Sequence, residues 1–131
     1  MQNSTSIFLV EDDEDDRFFF MNAFKELRHV WLFDMAGNGL EALAKLRRAP
    51  ILPSVIFVDY NMPKMNGLEF LQEKSKDSSL KNIPVIMLSA SLHIREDAFK
   101  YGAKAFIDKA GDDVSLRNSL QVALDSLAVS G

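Results

Sequence analysis

Five short apolar runs punctuate the chain: IFLV (Ile7 to Val10), VWLF (Val30 to Phe33), VIFV (Val55 to Val58), VIML (Val85 to Leu88) and AFI (Ala105 to Ile107). Each is nearly continuous rather than alternating, which marks strands covered on both faces. Between the runs, apolar residues follow helical spacing instead. Phe20, Phe24 and Leu27 recur at i, i+4 and i+7, and Leu116, Leu120, Ala123, Leu124 and Leu127 form one stripe near the C-terminus. Strand and helix therefore alternate from end to end. Right-handed crossovers return each strand in the same direction, so the pattern predicts an α/β fold, three-layered and doubly wound, with a five-stranded parallel sheet between helices.

Helix boundaries are also legible. Asn38 with Glu41, and Asn66 with Glu69, have capping-box spacing with Asn in place of the usual Ser or Thr, and Gly102 ends the helix before the fifth run. No linker, repeat or low-complexity tract interrupts this order, and 131 residues suit one domain spanning 1–131 without an output domain. The absence of cysteine excludes disulfides, thiolate metal sites and cysteine nucleophiles. No stretch approaches the roughly 20 apolar residues of a membrane span, and no Lys or Arg precedes the first apolar run as in an export signal, so a cytoplasmic protein is expected. A net charge of -4 opposes binding to nucleic-acid backbones. The one basic cluster, Lys45, Arg47 and Arg48, closes a helical pattern, where cations suit the helix dipole.

In a parallel sheet every strand's carboxyl end reaches one edge, and ligands bind there. Glu11, Asp12 and Asp13 follow the first run, Asp59 the third, Ser89 the fourth and, past Asp108, Lys109 the fifth. Asp34 follows the second run and is expected at the same rim, but on an outer strand away from the centre. Carboxylates of Glu11, Asp12 and Asp59 about 5 Å apart would repel by roughly 3 kcal/mol per pair at an effective dielectric near 20. A few such terms rival the ~5 to 15 kcal/mol stability of a small domain. A divalent cation, or protonation, must relieve that repulsion. Oxygen ligands, few in number and with room for water, suit Mg²⁺ better than a Ca²⁺ cage or a zinc site. A carboxylate touching Mg²⁺, with Lys109 and Ser89 opposite, meets the needs of phosphoryl transfer: a positioned nucleophile and neutralised charge on the equatorial oxygens. Asp59 is accordingly the expected phosphoacceptor.

Other features read blandly. Asp13, Glu14, Asp15 and Asp16 form the solvated, acidic first turn of a helix, and the run lacks the glycine and later Glu of an EF-hand loop. Phe18, Phe19, Phe20 and Met21 cannot all point into one core, so some apolar surface is expected there. His29 and His93 have no partner histidine at ligand spacing. A hydrolase with Ser89 as nucleophile would need a G-x-S-x-G turn that is missing. An aspartate-nucleophile phosphatase would need an acid two residues after Asp59, where Asn61 stands.

Taken in order, LVEDD, VDYNMPKMNG, MLSA, YGAKAF and the lysine of FIDKAG resemble the receiver domain of two-component response regulators across essentially the whole chain. The resemblance implies the flavodoxin-like strand order 2-1-3-4-5 with five helices. It implies Asp59 as phosphoacceptor, Asp12 as a direct Mg²⁺ ligand, Glu11 as an outer acidic partner, and the backbone carbonyl of Asn61 as completing the metal shell. Ser89 matches the hydroxyl that turns toward the phosphoryl group, Lys109 the paired cation, and Phe106 an aromatic that changes rotamer with that hydroxyl. Asn61 and Ser91 occupy positions that tune the lifetime of the acyl phosphate.

The implied reaction is phosphoryl transfer from a histidine kinase or histidine phosphotransfer protein, then hydrolysis, with any enzymatic activity confined to self-phosphorylation and self-dephosphorylation of Asp59. The implied output is a changed surface presented to a downstream protein, the chain being a monomer or a weak homodimer through strand five and the last two helices. Two residues depart from the pattern. Ala110 replaces the usual Pro after the lysine, where a cis bond to a non-proline residue would cost ~2.5 to 4 kcal/mol, and Phe106 lacks the tyrosine hydroxyl. They motivate a second reading, a receiver-like interaction module that does not cycle phosphate.

Overall fold

The computed structural model describes residues 4–130, with side chains to residue 127. Five strands, β1 (Thr5–Val10), β2 (Val30–Ala36), β3 (Val55–Asp59), β4 (Val85–Ser89) and β5 (Ala105–Asp108), form one parallel sheet in the order β2-β1-β3-β4-β5. Five α-helices connect and follow them: α1 (Glu14–Lys25), α2 (Gly39–Arg48), α3 (Gly67–Ser75), α4 (Arg95–Lys100) and α5 (Asp113–Ser130). A short 3-10 turn, Leu92–Ile94, leads into α4. The expected class, order and helix number are all present.

Both faces of the sheet are apolar because both are covered. Phe8, Val10, Ile56, Val58, Val85 and Met87 point to one side and pack with Leu46 of α2, Phe70 of α3 and Ala98 of α4. Their neighbours Ile7, Leu9, Val55, Phe57, Ile86 and Leu88 point to the other, against Phe20 and Phe24 of α1 and Leu116 and Leu120 of α5. Alternate residues of one strand thus feed two separate cores, which is why the runs show no polar alternation. The rest of the C-terminal stripe packs into the second core as expected, with Ala123 and Leu124 buried and Leu127 partly so. Leu27 packs there too, although α1 ends before it.

β2 differs from expectation. It runs on through Asp34 to Ala36, and its register against β1 shifts between Ile7 and Phe8. Asp34 therefore lies inside an edge strand, short of the rim, where its carboxylate stands 3.5 Å from Lys45 Nζ. An edge strand leaves one side open to water, so a charged residue interrupts its apolar pattern without ending it. The basic cluster does close α2: Lys45 donates to the Met35 carbonyl at 2.6 Å, and Arg47 pairs with Asp77 at 2.9 Å.

Caps fix the helix starts that face the rim. Asn66 accepts from the Glu69 N–H while Glu69 accepts from the Asn66 N–H, a complete capping box at 2.9 Å each way. At α2, Asn38 accepts from the Glu41 N–H, but the Glu41 carboxylate reaches one residue further back to the Gly37 N–H. Gly102, at φ +108°, ends the α4 segment in the left-handed conformation that favours glycine. Among the described residues no helix is long and apolar enough to cross a membrane.

Candidate phosphoacceptor site

The carboxyl ends of β1, β3, β4 and β5 deliver the expected residues to one cleft of about 320 Å³, lined by Glu11, Asp12, Asp59, Asn61, Ser89 and Lys109 among others. One oxygen each of Glu11, Asp12 and Asp59 lies within 4.8 Å of the other two. This is close to the separation at which repulsion was expected to demand a cation. Asp12 is exposed, whereas Glu11 and Asp59 are buried at 0% and 4% exposure. An all-oxygen donor set open to water on the Asp12 side fits a hard cation that retains several waters.

Lys109 holds the acids together. Its ammonium lies 3.0 Å from Asp59 Oδ1, 3.1 Å from Glu11 Oε1 and 2.7 Å from Asp16 Oδ2. Its backbone N–H donates to the Ser89 carbonyl at 3.0 Å, tying the segment after β5 to the end of β4. Burial works against the ammonium, but the hydrogen bond to Asp16 and the charges of Asp59 and Glu11 outweigh it and hold its pKa above the ordinary lysine value. Burial, then the Asp59 charge, pushes Glu11 up to about 7 against the pull of Lys109. Burial likewise raises Asp59, with Lys109 opposing and Asp12 and Asp16 adding to the rise. Burial and neighbouring carboxylates thus raise both buried acids, and Lys109 opposes the rise in each.

Ala110 does not displace Lys109. The described residues contain no cis peptide bond, and the Ala110 N–H, which proline would lack, donates to Asp108 Oδ1 at 2.8 Å. Ser89 is buried, and its hydroxyl accepts from the Ser91 N–H at 2.8 Å while donating to the Ser91 carbonyl at 3.2 Å. Phe106 is partly buried against the core under α2, α3 and α4. Glu11 is fixed through its backbone, whose carbonyl accepts from Arg17 Nε at 2.6 Å.

Two acids of the first α1 turn do more than solvate it. Asp13 is the N-cap, accepting from the Asp16 N–H at 2.8 Å. Asp16 reaches into the cleft to Lys109 and is not merely an acid on a wet surface. The sequence signal for it is weak, since an acid at the third position of a helix already has a sufficient local reason in the helix dipole.

Gly67 explains the glycine that follows Asp59. It starts α3 directly against the end of β3, and its N–H donates to the Tyr60 carbonyl at 2.9 Å. A Cβ there would stand 2.9 Å from the Asp59 carbonyl oxygen and 2.9 Å from Tyr60 Cα, both backbone atoms. Gly67→Ala is expected to destabilise the protein by about 1 to 3 kcal/mol, the usual range for forced overpacking. Urea unfolding of the two proteins measures this, and an unchanged midpoint contradicts it.

The response regulator receiver domain family matches residues 7–121. Chemotaxis protein CheY1 of Helicobacter pylori is 32% identical over 120 residues, covering 90% of this chain and 95% of that protein. The phosphorylated cyanobacterial phytochrome response regulator RcpA superposes with a TM-score of 0.79 at 28% identity, over 94% of this chain and 91% of that one. The Mn²⁺-bound response regulator Rcp1 gives 0.77 at 26% identity, over 90% of each chain. Against several longer curated relatives the chain spans only 11% to 31% of their length. The chain belongs to the response regulator receiver domain family. The receiver domain of sensor histidine kinase PA1611 from Pseudomonas aeruginosa, a fold match at 20% identity with a TM-score of 0.75, carries a magnesium ion coordinated in its active-site cleft.

Proposed function

We propose that Asp59 is the phosphoacceptor of this domain and that Glu11, Asp12, Asp59 and the Asn61 backbone carbonyl would hold Mg²⁺. The observation that carries this reading is the Lys109 ammonium hydrogen-bonded at once to Asp59 and Glu11, inside a triad of carboxylates whose oxygens lie within 4.8 Å. When bound, Mg²⁺ supplies charge neutralisation at the carboxylates and at the phosphoryl oxygens.

In the reaction a carboxylate oxygen of Asp59 forms a bond to phosphorus as the P–N bond of a phosphohistidine donor breaks, the electron pair staying on the imidazole nitrogen. Lys109 orients Asp59 beforehand and then balances charge on the phosphoryl group. The Ser89 hydroxyl, released from Ser91, turns to a phosphoryl oxygen. Phe106, at the centre of β5, carries that movement toward α4 and α5. Exposed Phe99, Val114 and Val122 on these helices support this face as the one read by a downstream protein or by a second copy of the chain. Asn61 and Ser91 line the cleft and govern access of water to the acyl phosphate.

The test is incubation with a small acyl-phosphate donor, which reacts without a kinase. A mass gain of one phosphoryl group is expected with Mg²⁺, none with chelator, and none in Asp59→Asn. Equal labelling of Asp59→Asn would sink the assignment. The module that does not cycle phosphate gains no support from Ala110, because Lys109 reaches both acids with an ordinary trans bond following it.

A further inference from the structure

We propose that Asp16 is a positioning residue that competes with the phosphoryl group for Lys109, so that it slows phosphorylation of Asp59 and makes it salt-dependent. This deepens the reading above and rests on Asp59 as the acceptor.

An ammonium has three N–H donors and no more. In this structure three carboxylates surround that of Lys109, those of Glu11, Asp16 and Asp59. A phosphoryl group on Asp59 brings about -1.5 to -2 further charge and strong acceptor oxygens. With three acids already within 3.1 Å of the ammonium, the phosphoryl oxygens can reach Lys109 closely only as one existing contact is surrendered.

Glu11 cannot move away readily. Its side chain is fully buried, its Oε2 accepts from the Asp13 N–H at 3.3 Å, and its carbonyl is held by Arg17. Asp59 is the group being modified. Asp16 is left: its side chain is 40% exposed, so water can replace Lys109 as its partner, yet its contact is the shortest of the three at 2.7 Å. The Asp13 cap on the Asp16 N–H keeps the carboxylate in reach of the cleft. Its negative charge also acts on Asp59 itself, adding to the repulsion there.

Asp16 thus opposes the reaction twice. It holds the cation that the phosphoryl group needs, and it repels an anionic donor as it enters. Removing its charge while keeping its size removes both effects. Asp15 provides the comparison, being an exposed acid of the same helical turn with no ion pair to Lys109.

The experiment measures the second-order rate constant for labelling by a small acyl-phosphate donor at saturating Mg²⁺, for wild type, Asp16→Asn, Asp16→Glu and Asp15→Asn. Asp16→Asn is expected to label about fivefold faster at low ionic strength, the order set by one like charge a few ångströms away, with the gain shrinking as salt screens it. Asp16→Glu retains the charge and should stay near the wild-type rate. The NMR signal of the Lys109 ammonium, read before any donor is added, should shift in Asp16→Asn and not in Asp15→Asn. A wild type that takes no label removes Asp59 as acceptor and Asp16 from this role together. A labelled wild type with Asp16→Asn at the same rate, or with an equal gain in Asp15→Asn, overturns the role of Asp16 alone.

Discussion

Replacing Lys109 by Met is expected to destabilise the metal-free protein by about 3 to 5 kcal/mol at pH 8, the range for removing one partner of a buried ion pair. Three carboxylates, those of Glu11, Asp16 and Asp59, would lose their shared cation, and two of them, Glu11 and Asp59, are buried. The loss should shrink at pH 5. Glu11, already raised to about 7, takes up a proton there and leaves less charge to balance. Mg²⁺ at millimolar concentration should restore part of the stability and none of the labelling rate. A divalent cation neutralises the acids, but the phosphoryl group still lacks the ammonium, whose removal is worth about 10² to 10³ in rate for a preorganised charge of this kind. Urea unfolding at both pH values, with chelator and with Mg²⁺, beside the labelling assay, separates these contributions. A Lys109→Met protein as stable as wild type at pH 8 with chelator would show that the ammonium carries no net charge-balancing role.

The ease of reading this chain follows from where its polar residues fall. β3 and β4 are central strands, so any charge inside them would be buried twice over; the first polar residues, Asp59 and Ser89, therefore announce both the strand end and the site. β2 is an edge strand, and Asp34 sits inside it at little cost with Lys45 beside it, which is why its end at Ala36 is not visible in the apolar pattern. Lys109 was legible through its order in a known set of motifs. Its contact with Asp16 was not, because the acid's local context already explains it and nothing along the chain tells that the segment after β5 folds over the first turn of α1. The path after Lys109 was obscured in a similar way. Sequence alone weighs Ala110 against the missing proline, while the folded chain shows its N–H satisfied by Asp108.

The opposite sign is expected for Glu11→Gln, which should stabilise the metal-free protein while impairing its function. The Glu11 carboxyl has an ordinary value of 4.5 and stands at about 7 in the folded protein, chiefly from burial and then from Asp59. Between those two values the folded protein holds the proton more tightly than the unfolded chain. Stability contributed by this group therefore falls as pH rises from about 4.5 to 7, and above 7 the full penalty of a buried carboxylate is present. A shift of that size corresponds to about 3 kcal/mol. Gln removes the charge, keeps an oxygen that accepts from Lys109, and loses the second acceptor that Glu11 offers the Asp13 N–H, so a net gain of about 2 kcal/mol at pH 8 is expected, with little gain at pH 4.5.

Mg²⁺ should reverse the ranking. Wild type gains stability from the cation with the logarithm of its concentration over its dissociation constant, whereas Glu11→Gln offers one carboxylate fewer and should bind it at least tenfold more weakly, with labelling reduced accordingly. Unfolding midpoints at pH 4.5 and 8, each with chelator and with Mg²⁺, provide the four numbers needed. A Glu11→Gln protein less stable than wild type at pH 8 in chelator would mean that Lys109 already compensates the buried carboxylate in full. The acids at the ends of β1 and β3 would then impose no burden on the fold, and a cation would not be required to relieve one.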